Sequence, residues 1–232
     1  EILSPNSSPA QKHSYDLLMG KDKKKDQSYF LYGLPQNILS RCLFPIGDYT
    51  KKQIREIAKK NKFPNYDKKG TVGICFIGKI NLKDFLQKKI KPKKGKILDP
   101  EGNQIGEHDG IYYYTIGQRI GPRFGIEINK SENRKKRWYI AKKDLKKNQI
   151  IAAPEGHQLN FRKEIIIKNF HLIDLDKKKF LQKIKNKSIK VYSRIRQVGE
   201  LLSSKLSYEK GKFKIILDKA ITGVSQGQAI VL

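Results

Sequence analysis

The chain has 232 residues, 38% of them hydrophobic, and carries 50 Lys and Arg against 22 Asp and Glu, a net charge of +28. That length holds one large domain or two to three small ones, and the composition is too apolar for a disordered chain. No apolar run is long enough to span a bilayer, no signal-peptide pattern opens the chain, and two cysteines can form neither a disulfide framework nor a four-ligand zinc site.

Residues 1–24 begin as a loop, "SPNSSPAQKH", followed by the charged run "GKDKKKDQ", and no stable core is expected there. "LPQNILSRCLF" predicts a short helix opened by Pro35, with Ile38, Leu39 and Cys42 on one packed face. "DYTKKQIREIAKKN" predicts a clearer helix. Thr50 and Gln53 stand at capping-box spacing, Ile54, Ile57 and Ala58 form one stripe, and the lysines lie mostly opposite. Asn81 can cap a third helix with Leu82, Phe85 and Leu86 on one side. Pro92 and Gly95 then break the pattern, and a domain boundary is expected near residues 78–95.

Beyond that point the period becomes strand-like. Turns are expected at Pro100-Glu101-Gly102-Asn103 and at Asp109-Gly110. "IYYYTIG", "RWYIAK", "NQIIAA", "EIIIKNF", "IKVYSRIRQ", "FKIIL" and "AIVL" read as short strands, and such spacing favours antiparallel β-barrels over a parallel sheet. "DKKKFLQKIKN" interrupts them as a helix or a loop. The mixed region is expected to end near residue 155, with a barrel from there to Leu232.

The basic excess repels itself unless it meets a polyanion, and nucleic acid is the usual one. Codon bias toward Lys, Asn and Ile raises the same count. The basic residues are not gathered on one amphipathic helix, which argues against a membrane surface. Four scattered histidines, His13, His108, His157 and His171, lack ligand spacing, so no metal is expected, and a reducing cytoplasm fits the cysteine usage.

"YYYTIGQRIGPRFG" has glycines, but neither a phosphate-binding loop nor a dinucleotide fingerprint. Three adjacent tyrosines can stack on bases, though at least one is expected in a core. Glu107 and Asp109 read as loop residues rather than a general acid/base pair. Cys75 lies in "TVGICFIGKI", between Gly73 and Gly78 and close to Lys68, Lys69 and Lys79. Those neighbours favour a thiolate, while a buried structural cysteine has the same local sequence.

Taken together, "KDQSYFLYGLP" (25–35), "LFPIGDYTKKQIREIA" (43–58), "GICFIG" (73–78), "GEHDGIYYYTIGQRIG" (106–121) and "WYIAKKDLKKNQI" (138–150) resemble the tRNA-specific 2-thiouridylases, the MnmA/TrmU family. The more divergent "RIRQ" (194–197) and "GQAIVL" (227–232) follow in the family's order. The resemblance runs from about residue 14 to the end. It implies an α+β multidomain chain: the tail of an α/β adenine-nucleotide-hydrolase-like (PP-loop) domain over 1–78, a small central mixed domain over 79–155, and a C-terminal antiparallel β-barrel over 156–232.

The resemblance further implies replacement of the C2 oxygen of a wobble uridine by sulfur. ATP adenylates that oxygen, and a persulfide, assigned by the motif to Cys75, delivers the sulfur. A cysteine desulfurase relay is the implied sulfur donor, and a disulfide belongs to the family's chemistry. Lys25, Asp26 and Gln27, Arg194 and Ile195, and Gln228 occupy the family's tRNA-contacting positions, with Ile195 standing where the family has tyrosine. The Ser-Gly-Gly-Val-Asp-Ser pyrophosphate loop, the upstream cysteine and "GHYAR" are absent, and "KKGTV" replaces the usual Lys-Lys-acid-Ser before "GICFIG". The chain is therefore expected to be part of a longer polypeptide that holds the ATP site. The alternative is a tRNA-binding module without catalysis.

Overall fold

A computed structural model describes residues 14–68, 81–129, 136–173, 177–185, 187–196 and 199–232. Cys75, Gly73 and Gly78 lie outside these residues. The first segment carries α1 (Gln36–Leu39) and α2 (Lys51–Lys60). Thr50 caps α2 in the expected capping box, accepting from the Gln53 N–H while the Gln53 side chain accepts from the Thr50 N–H. α1 is one turn long, with Pro35 as its N-cap residue rather than its first helical residue. Leu39 is buried, but Ile38 is 43% exposed and Cys42 is a half-buried free thiol. The expected packed face therefore reduces to Leu39 with part of Cys42. No residue of α2 is buried, so its apolar stripe meets no core among the described residues.

α3 (Leu82–Gln87) starts at Asn81, whose side chain accepts from the Lys83 and Asp84 N–H groups. A five-stranded sheet follows, built from β1 (Gly95–Leu98), β2 (Gln104–His108), β3 (Glu127–Ile128), β4 (Trp138–Asp144) and β5 (Gln149–Pro154), in the order β3-β2-β1-β5-β4. Its pairs are antiparallel except β1 with β5, a parallel junction that periodicity did not anticipate. The turn at residues 99–103 joins β1 to β2, with Asn103 tied to the Asp99 carboxylate and Gly102 at φ +97°. Ile97, Ile140 and Ile150 are fully buried at the centre.

"IYYYTIG" is not a strand. Ile111–Tyr113 form a 3-10 turn, and Tyr113 and Tyr114, neighbours in sequence, are both buried. Strict alternation would have sent one of them to solvent, so burying the pair requires the turn. Tyr112 is left 57% exposed. Asp109-Gly110 is likewise no hairpin tip, because it leads directly into this turn.

The second sheet contains β6 (Phe161–Ile167), β7 (Ile189–Ser193), β8 (Leu202–Glu209) and β9 (Lys212–Thr222) in the fully antiparallel order β6-β9-β8-β7. "DKKKFLQKIKN" holds a helix, α4 (Lys177–Ile184), which places Phe180 and Ile184 against Leu206, Ile215 and Leu217. β8 carries no strong strand signal because serine takes interior positions. Ser204 is fully buried and shares a hydrogen bond with Ser193. "AIVL" forms no strand, and only Val231 pairs, with Arg194.

The two sheets meet at glycines. Gly117, whose N–H donates to the Ile140 carbonyl, has φ +84°, and a Cβ there would lie 2.4 Å from the Gly223 Cα. Gly117→Ala is therefore expected to cost about 1–3 kcal/mol through the clash and the left-handed backbone. Gly33→Ala, whose Cβ would meet nothing within 4 Å, serves as the control. Thermal unfolding of the two variants checks this.

Candidate nucleic-acid interface

The charged run at residues 21–25 is folded into a turn around Asp22. Its backbone carbonyl accepts from the Lys25 and Asp26 N–H groups, while its carboxylate accepts from the Lys24 and Lys51 N–H groups. This leaves Lys25 and Gln27 exposed and turns Asp26 inward. One carboxylate oxygen of Asp26 accepts from the Gly20 and Ser28 N–H groups, and the other from the Ser28 hydroxyl. That second oxygen also receives Arg194 Nη1 at 2.6 Å, with side-chain exposures of 9% for Arg194 and 3% for Asp26.

Arg194 follows β7, and its N–H and carbonyl pair with Val231. Its Nη2 rests 3.5 Å from Met19 Sδ. Next to this pair, Tyr29 is buried in the 3-10 turn Ser28–Leu31. Its hydroxyl lies 3.0 Å from the Ile195 carbonyl and 2.8 Å from that of Ala229, the residue after Gln228. Ile195 is buried in the second core, whereas Gln228 is exposed and its side-chain carbonyl accepts from the Ser225 N–H. The segments bearing Lys25, Asp26 and Gln27, Arg194 and Ile195, and Gln228 thus form one junction. Tyr29 was not singled out from the sequence, although a buried tyrosine normally needs a partner for its hydroxyl.

Exposure divides these positions. Lys25, Gln27 and Gln228 face solvent, and Asp26, Arg194 and Ile195 do not. Arg196 is the exposed arginine of "RIRQ", donating to the Thr222 carbonyl from Nη2. On α2, Lys51, Lys52, Arg55, Glu56 and Lys59 line a shallow open cleft with Tyr66 and Asp67, and Tyr66 lies under the Lys59 ammonium. Cys75 is outside the described residues, as are Lys69 and Lys79.

Burial alone would raise the Asp26 carboxyl. Hydrogen bonds from the Gly20 N–H, Arg194 and Ser28 outweigh it and hold Asp26 below the usual carboxylate range.

A second polar cluster sits in the central sheet. Asp109 lies 2.8 Å from Lys83 Nζ, and the Tyr114 hydroxyl lies between Asp109 and the Gly125 carbonyl. Burial would raise Asp109, but Lys83 and Tyr114 lower it on balance; burial chiefly, with Asp109 beside it, pushes Tyr114 up to about 12. Asp109 is thus fixed against α3, while Glu107 points outward from β2. The arrangement ties α3 to the central sheet, and Glu107 lies within β2 rather than in the expected loop. Among the described residues no group of three His, Cys, Asp or Glu could hold a metal.

Removing Arg194 strands a buried carboxylate, so Arg194→Ala is expected to cost about 3–5 kcal/mol in urea unfolding. The pH dependence follows from the lowered Asp26 pKa. Its contribution is complete above the unfolded value of about 3.9 and fades as pH falls through the lower folded value. The stability gap between wild type and Asp26→Asn should therefore narrow below about pH 4.

Three family models match in chain order: the tRNA methyl transferase HUP domain over residues 6–79, the tRNA methyl transferase PRC-barrel domain over 83–154, and the aminomethyltransferase beta-barrel domain over 162–232. A tRNA-specific 2-thiouridylase from Francisella philomiragia subsp. philomiragia is 49% identical over 144 residues, 62% of this chain and 39% of that protein. The corresponding protein of Francisella tularensis subsp. tularensis is 48% identical over the same shares. The chain spans about two-fifths of the length of these curated relatives. No helix among the described residues is long and apolar enough to cross a membrane. Ordered motifs, three consecutive domain matches and these relatives agree: the chain belongs to the tRNA-specific 2-thiouridylase (MnmA/TrmU) family.

Proposed function

We propose that this chain serves tRNA 2-thiolation in the cytoplasm, binding tRNA and presenting a sulfur carried on Cys75. The observation that carries the proposal is the likeness to 2-thiouridylases, together with a tRNA methyl transferase HUP domain match over residues 6–79, a span that includes Cys75. A net charge of +28 supports a polyanionic partner. Lys25, Asp26, Gln27, Arg194, Ile195 and Gln228 are proposed as the tRNA-binding region, organised around the junction of the first segment with the second sheet.

The chemistry suits a thiol. Cys75 as thiolate attacks the outer sulfur of a donor persulfide, taking that sulfur and releasing the donor as a thiol. The outer sulfur, now on Cys75, attacks C2 of a uridine whose oxygen ATP has adenylated, and the C2–O bond breaks with loss of AMP. Freeing the thiocarbonyl then requires breaking the S–S bond, and a second thiol supplies the electron pair and ends in a disulfide with Cys75. The resemblance puts that thiol and the ATP loop upstream of the motifs in this chain, and Cys42 is not assigned to the role. A second reading, a tRNA-binding module without catalysis, rests on the net charge of +28, which supports binding without bearing on chemistry.

With ATP, a persulfide donor and substrate tRNA, Cys75→Ser in the protein as it is encoded should abolish 2-thiouridine formation and leave tRNA affinity unchanged. Wild-type Cys75 should gain the mass of one sulfur after donor treatment. Full thiolation by the serine variant would refute the role of Cys75, and binding without thiolation by the wild type would favour the second reading. Affinity for tRNA should fall about a thousandfold between 50 and 200 mM salt if roughly six phosphates are neutralised.

A further inference from the structure

Of the positions proposed to contact tRNA, the oppositely charged Asp26 and Arg194 are both buried. Asp26 and Arg194 are each 7% exposed, and they spend their charges on one another. Tyr29 is 8% exposed, and its hydroxyl is shared between two backbone carbonyls of the C-terminal part. Lys25 and Gln27, on either side of Asp26, are exposed, as is Gln228 beside Ala229. Across 25–27 one buried residue stands between two exposed ones. Whatever holds Asp26 and Ala229 in place therefore also sets where Lys25, Gln27 and Gln228 stand relative to one another.

We infer that Asp26, Arg194 and Tyr29 form a buried latch between the first segment and the second sheet, positioning Lys25, Gln27 and Gln228 on one RNA-facing surface without touching RNA themselves. The inference rests on the tRNA-binding reading above and divides its residues into contacts and positioning residues.

Several observations favour a positioning role. The Arg194 Nε–H is buried with no hydrogen-bond partner among the described residues. An ion pair that leaves such a group unsatisfied is an inefficient source of stability and a good determinant of register. The latch joins residues 168 positions apart, with direct backbone pairing from Arg194 to Val231. Residues 14–68 contribute nothing to either of the two large apolar cores, so polar contacts of this kind bear much of their attachment to the second sheet. Ile195 is packed in the second core, and its carbonyl accepts from the Tyr29 hydroxyl.

The test exploits opposite signs. If Arg194 grips a phosphate directly, Asp26→Asn removes a competing anion from beside it, and tRNA affinity rises. If the pair is a latch, Asp26→Asn loosens the junction and affinity falls, by about tenfold. Tyr29→Phe deletes a buried, uncharged hydroxyl and should lower affinity in the same direction. Most of its effect should vanish in a background that lacks all three contacts, Lys25→Ala with Gln27→Ala and Gln228→Ala, because the contacts it positions are already gone. Lys25→Ala alone should flatten the slope of log affinity against log salt by about one. Measurements well below each variant's unfolding midpoint keep loss of fold apart from loss of position.

Tighter binding by Asp26→Asn, unchanged binding by Tyr29→Phe, or full additivity of Tyr29→Phe with the triple variant would each overturn the latch. If the wild type fails to bind tRNA, the underlying tRNA reading falls and the inference falls with it. A stability cycle on Asp26 and Arg194 then still reports whether the pair forms, so the two failures are distinguishable.

Discussion

A carboxylate and a guanidinium buried against each other, Asp26 and Arg194, link two stretches of chain that share no apolar core. Taking both charges from water is costly, and hydrogen bonds to Asp26 from the Gly20 and Ser28 N–H groups and the Ser28 hydroxyl help to offset it. The turn around Asp22 supplies that cradle by fixing the chain direction just before Asp26. Loops, turn and sheet edge therefore depend on one another. Tyr29 extends the linkage to the backbone carbonyls of Ile195 and Ala229.

The rest of the described chain rests on two apolar centres. In the first, Tyr113 and Tyr114 turn inward together with Trp138 and the central isoleucines, and Lys83, Asp109 and Gly125 satisfy the Tyr114 hydroxyl. In the second, Phe170 stacks on Phe213 and Phe180, beneath the curl of β6 to β9. Gly117 and Gly223 let these bodies approach at backbone distance. An excess of positive charge spread over such a surface opposes compaction, so the cores must outweigh it, and a polyanionic ligand would relieve it.

Helix starts were legible in the sequence because capping is local: Thr50 with Gln53, and Asn81 with the N–H groups that follow it, need only three residues of context. Strands with branched side chains inside, such as β4, β5 and β9, were legible for the same reason. β8 was missed because its interior carries serines that satisfy one another across the sheet. "IYYYTIG" was misassigned because β propensity cannot report that two neighbouring tyrosines both find hydroxyl partners in one core. The candidate site was legible as a set of motifs, since order and spacing survive in one dimension.

The sequence alone determined the family, the basic character, the capped helices and the glycine-flanked cysteine, all properties of residue order and composition. Which motif residues face solvent was decided only in three dimensions. "KDQ" and "RIRQ" lie far apart along the chain, and nothing local in either shows that the aspartate of one neutralises the first arginine of the other. A charge becomes buried through its distant partner, and partners of that kind exist only once the chain has folded.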